Sequence, residues 1–216
     1  ENLKEANPKF LLTVPALTGN FMKKMKRGVQ EKGALINRIF EKGLAAGIKR
    51  FGDGYNTPSI LTRLATLPSY LLAEKLIFQK LRSIFGSEIL FCVGGGALLE
   101  RRQQEFFNAI GVPIYQGYGL TEAAPVISSN TPNLHKFGSS GRVVPSVTCK
   151  ILAEDGSEAA PGEKGEIAVK GESVMKGYFK NEEATRDAIR DGWLRTGDLG
   201  YIDRDGFLVV VGRMKA

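Results

Sequence analysis

An α/β fold, a partly parallel sheet with helices on its faces followed by a small β-barrel-like subdomain, is what this sequence predicts, and three observations carry the expectation. Residues 88–93 include Ile89, Leu90, Phe91, Cys92 and Val93 in succession, the pattern of a strand covered on both faces, as in a parallel sheet. That run enters Gly94-Gly95-Gly96, a helix follows over residues 98–110, and a new strand begins at Val112, giving a strand–helix–strand unit with glycines at its first turn. After Pro132 the texture changes to short strands between turn residues, starting near residues 136–141. The domain expectation is therefore residues 1–137 for the α/β part and 138–212 for the β-rich part.

The elements justify themselves in order. Residues 10–14 form a short apolar run ending at Pro15, read as a buried strand that stops where proline would remove a ladder donor. Phe21, Met22, Met25 and Val29 then fall on one helical face, with basic residues between them facing out. From Ala34 to Phe51 the positions Leu35, Ile36, Ile39, Phe40, Leu44 and Ile48 repeat at helical period, and Gly52 and Gly54 supply the stop. A third helix is expected over residues 69–85. In the second part, residues 147–152 and 166–170 read as strands, separated by turns at Glu154-Asp155-Gly156 and Pro161-Gly162. Asn181 is placed to cap a short helix whose first turn holds Glu182 and Glu183, and Asp191-Gly192 ends it. Residues 193–195, 199–202 and 207–211 complete the strands.

Composition limits the class of function. With 216 residues and 43% hydrophobic content, a sizeable core or two smaller ones can form. Only Cys92 and Cys149 are present, far apart and in apolar settings, so reduced thiols are expected, and two cysteines with one histidine do not make a zinc site unaided. No stretch approaches the roughly 18 apolar residues of a membrane span, and the first residues do not resemble a secretory leader. A cytoplasmic location is the expectation. The net charge of +7 comes from the first half, where residues 1–110 hold 17 Lys and Arg against 9 Asp and Glu. Lys23, Lys24, Lys26 and Arg27 concentrate it. They read as a solvated helix face, with peripheral contact to an anionic membrane surface as the other reading. Aromatic residues do not interleave with this run, so nucleic acid is not an expected partner. Oligomeric state is not legible.

The richest chemistry lies in Tyr115-Gln116-Gly117-Tyr118-Gly119-Leu120-Thr121-Glu122. An apolar strand end breaks into two glycines, where backbone bends or lies close to something bound, and then presents an aromatic ring, a hydroxyl and a carboxylate suited to Mg2+. Taken alone, it reads equally as a ligand site or as a strand-to-loop turn with a capped end. Other nucleotide signatures fail. Gly94-Gly95-Gly96 does not continue as GxGxxG, because Leu99 takes the third glycine position, and no GxxxxGK[ST] occurs. Asp198-Leu199-Gly200 imitates the kinase metal-binding triplet, but His135 is followed by Lys136-Phe137 rather than Arg-Asp. No GxSxG elbow exists, and His135, in a polar loop, reads as merely exposed.

The segments Gly94-Gly95-Gly96-Ala97, Tyr118-Gly119-Leu120-Thr121-Glu122, Gly165-Glu166-Ile167, Gly177-Tyr178, Trp193-Leu194-Arg195-Thr196-Gly197-Asp198 and Gly212-Arg213-Met214-Lys215 occur in that order. Together they resemble the adenylate-forming superfamily of AMP-binding enzymes, with the nearest likeness to long-chain fatty-acyl-CoA synthetases. The likeness runs from about residue 89 to 215, and residues 10–25 are similar to the Val-Pro segment of that group.

The resemblance implies ATP, fatty acid and coenzyme A as substrates, with AMP bound and Mg2+ as the metal. Tyr118 would stack on adenine, with Gln116, Gly117 and Gly119 beside it and Gly94, Gly95 and Gly96 lining the adenine and acyl side. Thr121 and Glu122 are the implied catalytic pair, Thr121 at the α-phosphate and Glu122 as metal ligand. Asp198 would accept from both ribose hydroxyls, Arg213 would add a cationic donor, and Lys215 would begin the hinge at residues 213–216. Trp193 and Tyr178 are assigned to core or cleft wall.

The resemblance also implies a Ser/Thr/Gly-rich phosphate loop upstream and a lysine-bearing domain downstream, neither matched by this sequence. The expectation is thus a piece of a ligase, inactive by itself, which binds AMP weakly. Two other readings stay open: adenylation of an aromatic or amino acid, and a non-catalytic nucleotide- or lipid-surface-binding module.

Overall fold

The computed structural model describes residues 2–214 of the chain, in two compact units. The first holds residues up to Tyr115 together with 135–138; the second holds 116–134 and the residues from Ser139 on. The division first falls at Tyr115/Gln116, ahead of the expected 137/138 boundary, because residues 117–119 pair with residues 126–129 within the second unit, while the 135–138 loop belongs to the first unit through rings and backbone. Phe137 N–H donates to Asp53 O (2.7 Å), and the His135 ring lies 5.1 Å from Tyr115 and 5.5 Å from Phe137. His135 is accordingly half-buried among aromatics and not simply exposed.

The first unit begins with α1 (Asn2–Ala6), β1 (Phe10–Thr13), α2 (Pro15–Gln30) and α3 (Ala34–Phe51). β1 runs parallel to β2 (Phe91–Gly94), as the apolar run predicts, and Cys92 N–H donates to Pro113 O at the approach to β3 (Ile114–Gly119). α6 (Arg101–Ala109) connects β2 to β3. Strand β1 departs from its expectation: only Thr13 is buried, while Phe10 and Leu12 are 56% and 71% exposed. Its neighbour β2 covers one edge and Leu11 packs against the core of this unit, while the face carrying Phe10 and Leu12 stays largely open. Leu35 likewise points out at 71% exposure, although the rest of its helical stripe faces the core.

The third helix is longer than residues 69–85. α4 (Ile60–Ala73) starts nine residues earlier and continues through a π turn (Glu74–Phe78), α5 (Gln79–Arg82) and a 3-10 turn (Ser83–Phe85). Ser59 caps it by accepting from Thr62 N–H (3.2 Å), and Pro68 sits inside without ending it. A proline there removes one backbone bond and is worth about 3 kcal/mol against an isolated helix. Close packing on α3 offsets this: a Cβ on Gly43 would lie 2.0 Å from Ala73 Cβ, so glycine alone lets the two helices approach. Met25, Val29, Phe40, Phe78, Phe85, Phe106 and Phe107 fill the core of this unit. Basic residues 23–27 lie on α2, where Arg27 pairs with Glu31 (2.9 Å) and Lys26 sits over the Phe106 ring. No helix among the described residues is long and apolar enough to cross a membrane.

The second unit is antiparallel. The end of β3 pairs with β4 (Val126–Ser129), and β4 with β5 (Arg142–Val143). A separate sheet runs β10–β9–β7–β6, from β6 (Val147–Leu152), β7 (Gly165–Gly171), β9 (Trp193–Ile202) and β10 (Leu208–Arg213). α7 (Glu182–Ala188) is capped by Asn181, whose side chain accepts from Ala184 N–H (3.0 Å), and leads into β8 (Ile189–Arg190), which pairs with β9 across the Asp191-Gly192 turn. The two strands expected at 193–195 and 199–202 are one continuous strand, β9. Ile127, Ile167, Val169, Leu194 and Leu208 form its core, with Tyr118 and Leu120 packed against them. Cys92 and Cys149, one in each unit, are free thiols, as expected.

Candidate nucleotide site

Strand β9 stays continuous where the sequence suggests a turn because it carries two residues more than β7 there. Glu166 lies opposite Leu199, yet Ala168 lies opposite Arg195, so Thr196, Gly197 and Asp198 bulge out against Ile167 alone. A bulge leaves ladder groups unpaired and re-aims side chains. Side chains take up those groups here. Gly197, at φ +69°, donates its N–H to Glu166 Oε1 (3.1 Å), and Thr196 Oγ1 donates to Ile167 O (2.8 Å) while accepting from Asp198 N–H (3.1 Å). Glu166 is itself held by the guanidinium of Arg195. The result is a rigid shelf that presents the Asp198 carboxylate.

Two groups meet that carboxylate. Tyr118 O–H, from β3, donates to Oδ2 (2.7 Å), and Arg213 Nε–H, from β10, donates to Oδ1 (2.9 Å). Arg213 arrives by a second irregularity. β10 pairs Val210 with Gly200 but Gly212 with Leu199, so Val211 is an extra residue and Arg213 comes directly opposite Asp198. The Arg213 side chain is otherwise exposed, and its pKa is raised by the bond to Asp198. Burial pushes the Tyr118 phenol well above its ordinary value, the Thr196 hydroxyl partly offsets this, and Asp198 adds to it. Tyr118 is therefore a proton donor at any physiological pH.

Beside this trio stands a second carboxylate. Glu122 lies on the 3-10 turn Thr121–Ala123, where its backbone O accepts from Met175 N–H (2.8 Å) and its Oε1 accepts from Tyr178 O–H (2.9 Å). That bond raises the Tyr178 pKa, with burial second. The charge of Glu122 also acts on Arg213, so both carboxylates belong to one electrostatic neighbourhood. Thr121 is exposed on the same turn. Gly119 makes the turn possible: a Cβ there would sit 1.8 Å from Pro125 O, the acceptor's own residue in the closing bond from Leu120 N–H (2.9 Å).

Of the residues singled out from sequence, the structure brings together Tyr118, Thr121, Glu122, Asp198 and Arg213 with the backbone of Gly117 and Gly119. Gln116 is buried, its carbonyl accepting from Asn130 N–H and Nδ2–H, which makes it part of the frame. Gly94, Gly95 and Gly96 belong to the first unit; Gly96 takes φ +76°, Gly94 has Ile114 Cγ2 3.2 Å from where its Cβ would be, and Gly95 faces open space. Lys215 lies outside the described residues. Sequence reasoning assigned no role to Glu166, Arg195 or Thr196, although each stands in a quoted segment, and it gave Tyr178 only a place in the core or cleft wall, not the hydroxyl contact to Glu122.

The donor set fits Mg2+ in one way. No group of three or more His, Cys, Asp or Glu side chains comes together among the described residues, but Mg2+ is commonly held by one or two carboxylates with phosphate oxygens and water completing the shell. Glu122 supplies such a carboxylate. A nucleotide fits the Asp198 site similarly, because a carboxylate offers about four acceptor positions and two remain after Tyr118 and Arg213.

Comparison with known proteins bears on the chain as a whole. The family model for AMP-binding enzymes matches residues 1–179. A long-chain-fatty-acid–CoA ligase of Salmonella typhimurium is 42% identical over 156 residues, covering 72% of this chain and 27% of that protein. A 2-succinylbenzoate–CoA ligase of Bacillus mycoides is 37% identical over 206 residues, covering 94% of this chain and 36% of that protein. Among solved structures, o-succinylbenzoate coenzyme A synthetase from Bacillus subtilis, in complex with ATP and magnesium ion, aligns with a TM-score of 0.55 at 33% identity, over 73% of this chain and 35% of that one. The chain thus spans about a quarter to a third of the length of these relatives.

Proposed function

The chain belongs to the AMP-binding enzyme family, and from that premise we propose that it provides the nucleotide-binding part of an acid–CoA ligase acting on long-chain fatty acids. The observation that carries the reading is the Asp198 carboxylate, fixed by Tyr118 and Arg213 with two acceptor positions left, the number that a ribose diol requires. Tyr118 offers adenine a ring held against the core, and Thr121 offers a phosphate oxygen a hydroxyl.

In the first half-reaction a substrate carboxylate oxygen bonds to the α-phosphorus of ATP and the bond to the departing pyrophosphate breaks, giving acyl-AMP. In the second, the coenzyme A thiol sulfur bonds to the acyl carbon, losing its proton, and AMP leaves. Glu122 would hold Mg2+, which when bound neutralises phosphate charge. Arg213 keeps a fixed positive charge at the ribose and phosphate side, where negative charge grows during displacement. Glu166, Arg195 and Thr196 act as positioning residues by holding the bulge.

A second reading concerns the acid alone. The 2-succinylbenzoate–CoA ligase relative matches nearly the whole chain, which favours an aromatic carboxylate as the alternative substrate. ATP–pyrophosphate exchange by the full-length gene product, over a panel from octanoate to oleate with benzoate and 2-succinylbenzoate, separates them. Exchange driven best by chains of twelve carbons or more supports the proposal; exchange driven only by the aromatic acids transfers the site to the second reading, and no exchange with any acid removes both.

A further inference from the structure

A cavity of about 250 Å³ lies in the first unit where α3 ends and α4 begins, lined by no residue of the nucleotide site. That is below the roughly 300–1,000 Å³ of cavities that take drug-sized ligands. At about 30 Å³ per water it holds roughly eight waters, or one tetrahedral anion with part of its hydration shell. Its wall is polar and cationic. Arg50 of α3 and Arg63 of α4 enter it together with Tyr55, Asn56 and Thr57 of the connecting loop, and no carboxylate lines it.

Neither arginine has an acidic partner. Arg50 Nη1–H donates to the backbone oxygen of Arg63, which brings its guanidinium to the turn of α4 that carries Arg63, and among the described residues no carboxylate pairs with either. The loop's own acid, Asp53, is committed elsewhere: its Oδ1 accepts from Tyr55 N–H (2.9 Å) and Asn56 N–H (2.6 Å), and its Oδ2 from Asn56 Nδ2–H (2.7 Å). Lys136, over the Tyr55 ring at 5.9 Å, adds a third cation to this region. The loop is closely packed, so the cavity is preformed. A Cβ on Gly52 would lie 2.9 Å from Pro58 Cγ and 3.0 Å from Asn56 O, and one on Gly54 would lie 2.4 Å from His135 Cδ2.

Two guanidinium groups in one cavity repel each other until an anion stands between them. A phosphate group is the anion that suits them best, because its tetrahedral oxygens accept paired N–H bonds from planar forks and a monoester carries close to two negative charges at neutral pH. We propose that this cavity binds a phosphate group, held by Arg50 and Arg63 with the Thr57 hydroxyl as a neutral donor. Two sources carry such a group: a small phosphorylated molecule and a phospholipid head group. The site shares no residue with the nucleotide reading, so either can fail without the other.

The test is a calorimetric titration of the full chain with inorganic phosphate at constant ionic strength. Expected is saturable one-to-one binding that Arg50→Gln and Arg63→Gln each weaken roughly ten- to a hundredfold, by loss of charge-assisted bonds. Arg63 is exposed, so its replacement leaves the fold intact even if that of Arg50 does not. Lys23→Gln with Lys24→Gln removes as much charge from exposed positions on α2, and Arg213→Gln removes the cation of the nucleotide site; both should bind phosphate as wild type does. Thr57→Glu places a carboxylate between the arginines and should abolish binding without lowering the melting midpoint. Co-sedimentation with phosphatidylcholine vesicles, with and without phosphatidic acid, separates the sources. Retention on phosphatidic acid that the Arg50→Gln, Arg63→Gln protein loses assigns the head group; phosphate binding with no retention, or with retention unaffected by that change, assigns a small molecule. Non-saturable binding, a folded Arg63→Gln or Thr57→Glu protein that binds phosphate like wild type, or loss of binding in Arg213→Gln instead overturns the proposal.

Discussion

Replacing Asp198 with Asn separates ligand binding by that carboxylate from any structural part it plays. The amide has nearly the same shape but loses the charge and exchanges one acceptor oxygen for a donor. Of the carboxylate's four acceptor positions, two are used, by Tyr118 O–H at 2.7 Å and Arg213 Nε–H at 2.9 Å, and two stay open for a diol. In the amide the single oxygen has two positions, one taken by Arg213, so at most one uncharged ribose bond survives. Loss of one charge-assisted hydrogen bond is worth about 1.5–3 kcal/mol, or roughly ten- to a hundredfold in AMP affinity. Stability should change little. Arg213 has a side chain 76% exposed, so solvent screens its attraction to Asp198, and the Tyr118 hydroxyl can accept from the new amide. The melting midpoint should stay within about 4 °C of wild type. Calorimetric AMP titration and thermal melting of the same full-length protein give both numbers. Unchanged AMP affinity in a folded D198N protein refutes the ribose assignment, and a midpoint lowered far beyond that range refutes the view that the bulge holds itself without the charge.

Three further outcomes follow from the same structure. Gly119→Ala places a Cβ 1.8 Å from Pro125 O and should destabilise by about 3 kcal/mol or more, whereas Gly95→Ala, facing open space, should lie within about 1 kcal/mol; chemical denaturation of the two variants checks the contrast. Burial pushes the thiols of Cys92 and Cys149 up to about 12, so neither should react with iodoacetamide at pH 8 until the protein unfolds, as mass spectrometry of native and urea-treated samples would reveal. Because both folded values are raised, the stabilisation from burying neutral thiols is fully present below their unfolded value of about 8.5 and is lost as pH rises from there towards 12; equilibrium unfolding that grows more favourable to the native state over pH 9–11 at these residues, compared with a Cys92→Ala, Cys149→Ala protein, contradicts that sign.

Parts of the fold were legible because local chemistry and tertiary packing agree. α3 keeps its expected bounds since Gly33 and Gly52 punctuate a clear helical period, and Asn181 caps α7 as its position suggests. β6 matches residue for residue. Legibility fails where packing overrules a local signal. The helix expected from residue 69 starts at Ile60 instead, with Pro68 inside it, because Gly43 lets α4 press against α3, an arrangement that depends on a residue 25 positions from the proline. Gly197 and the flanking polar residues read as a turn, yet Glu166, from another strand, supplies the partner that keeps β9 in the sheet. In the site, Asp198, Tyr118, Glu122 and Arg213 stood out by residue type within an ordered set of segments. Tyr178 did not, since an aromatic beside a glycine carries no sign that its hydroxyl reaches a carboxylate 56 positions earlier.

The irregularity at Val211 has an implication for how such sequences vary. A regular ladder continued from Val210 opposite Gly200 would bring Gly212 against Asp198 and turn Arg213 to the opposite face of the sheet. The pairing is thus encoded by a residue count as well as by residue identity. Length changes between Gly200 and Arg213 need not preserve it even when both charged residues are retained, so the meaningful unit of comparison along this hairpin is the spacing that delivers the guanidinium to the carboxylate.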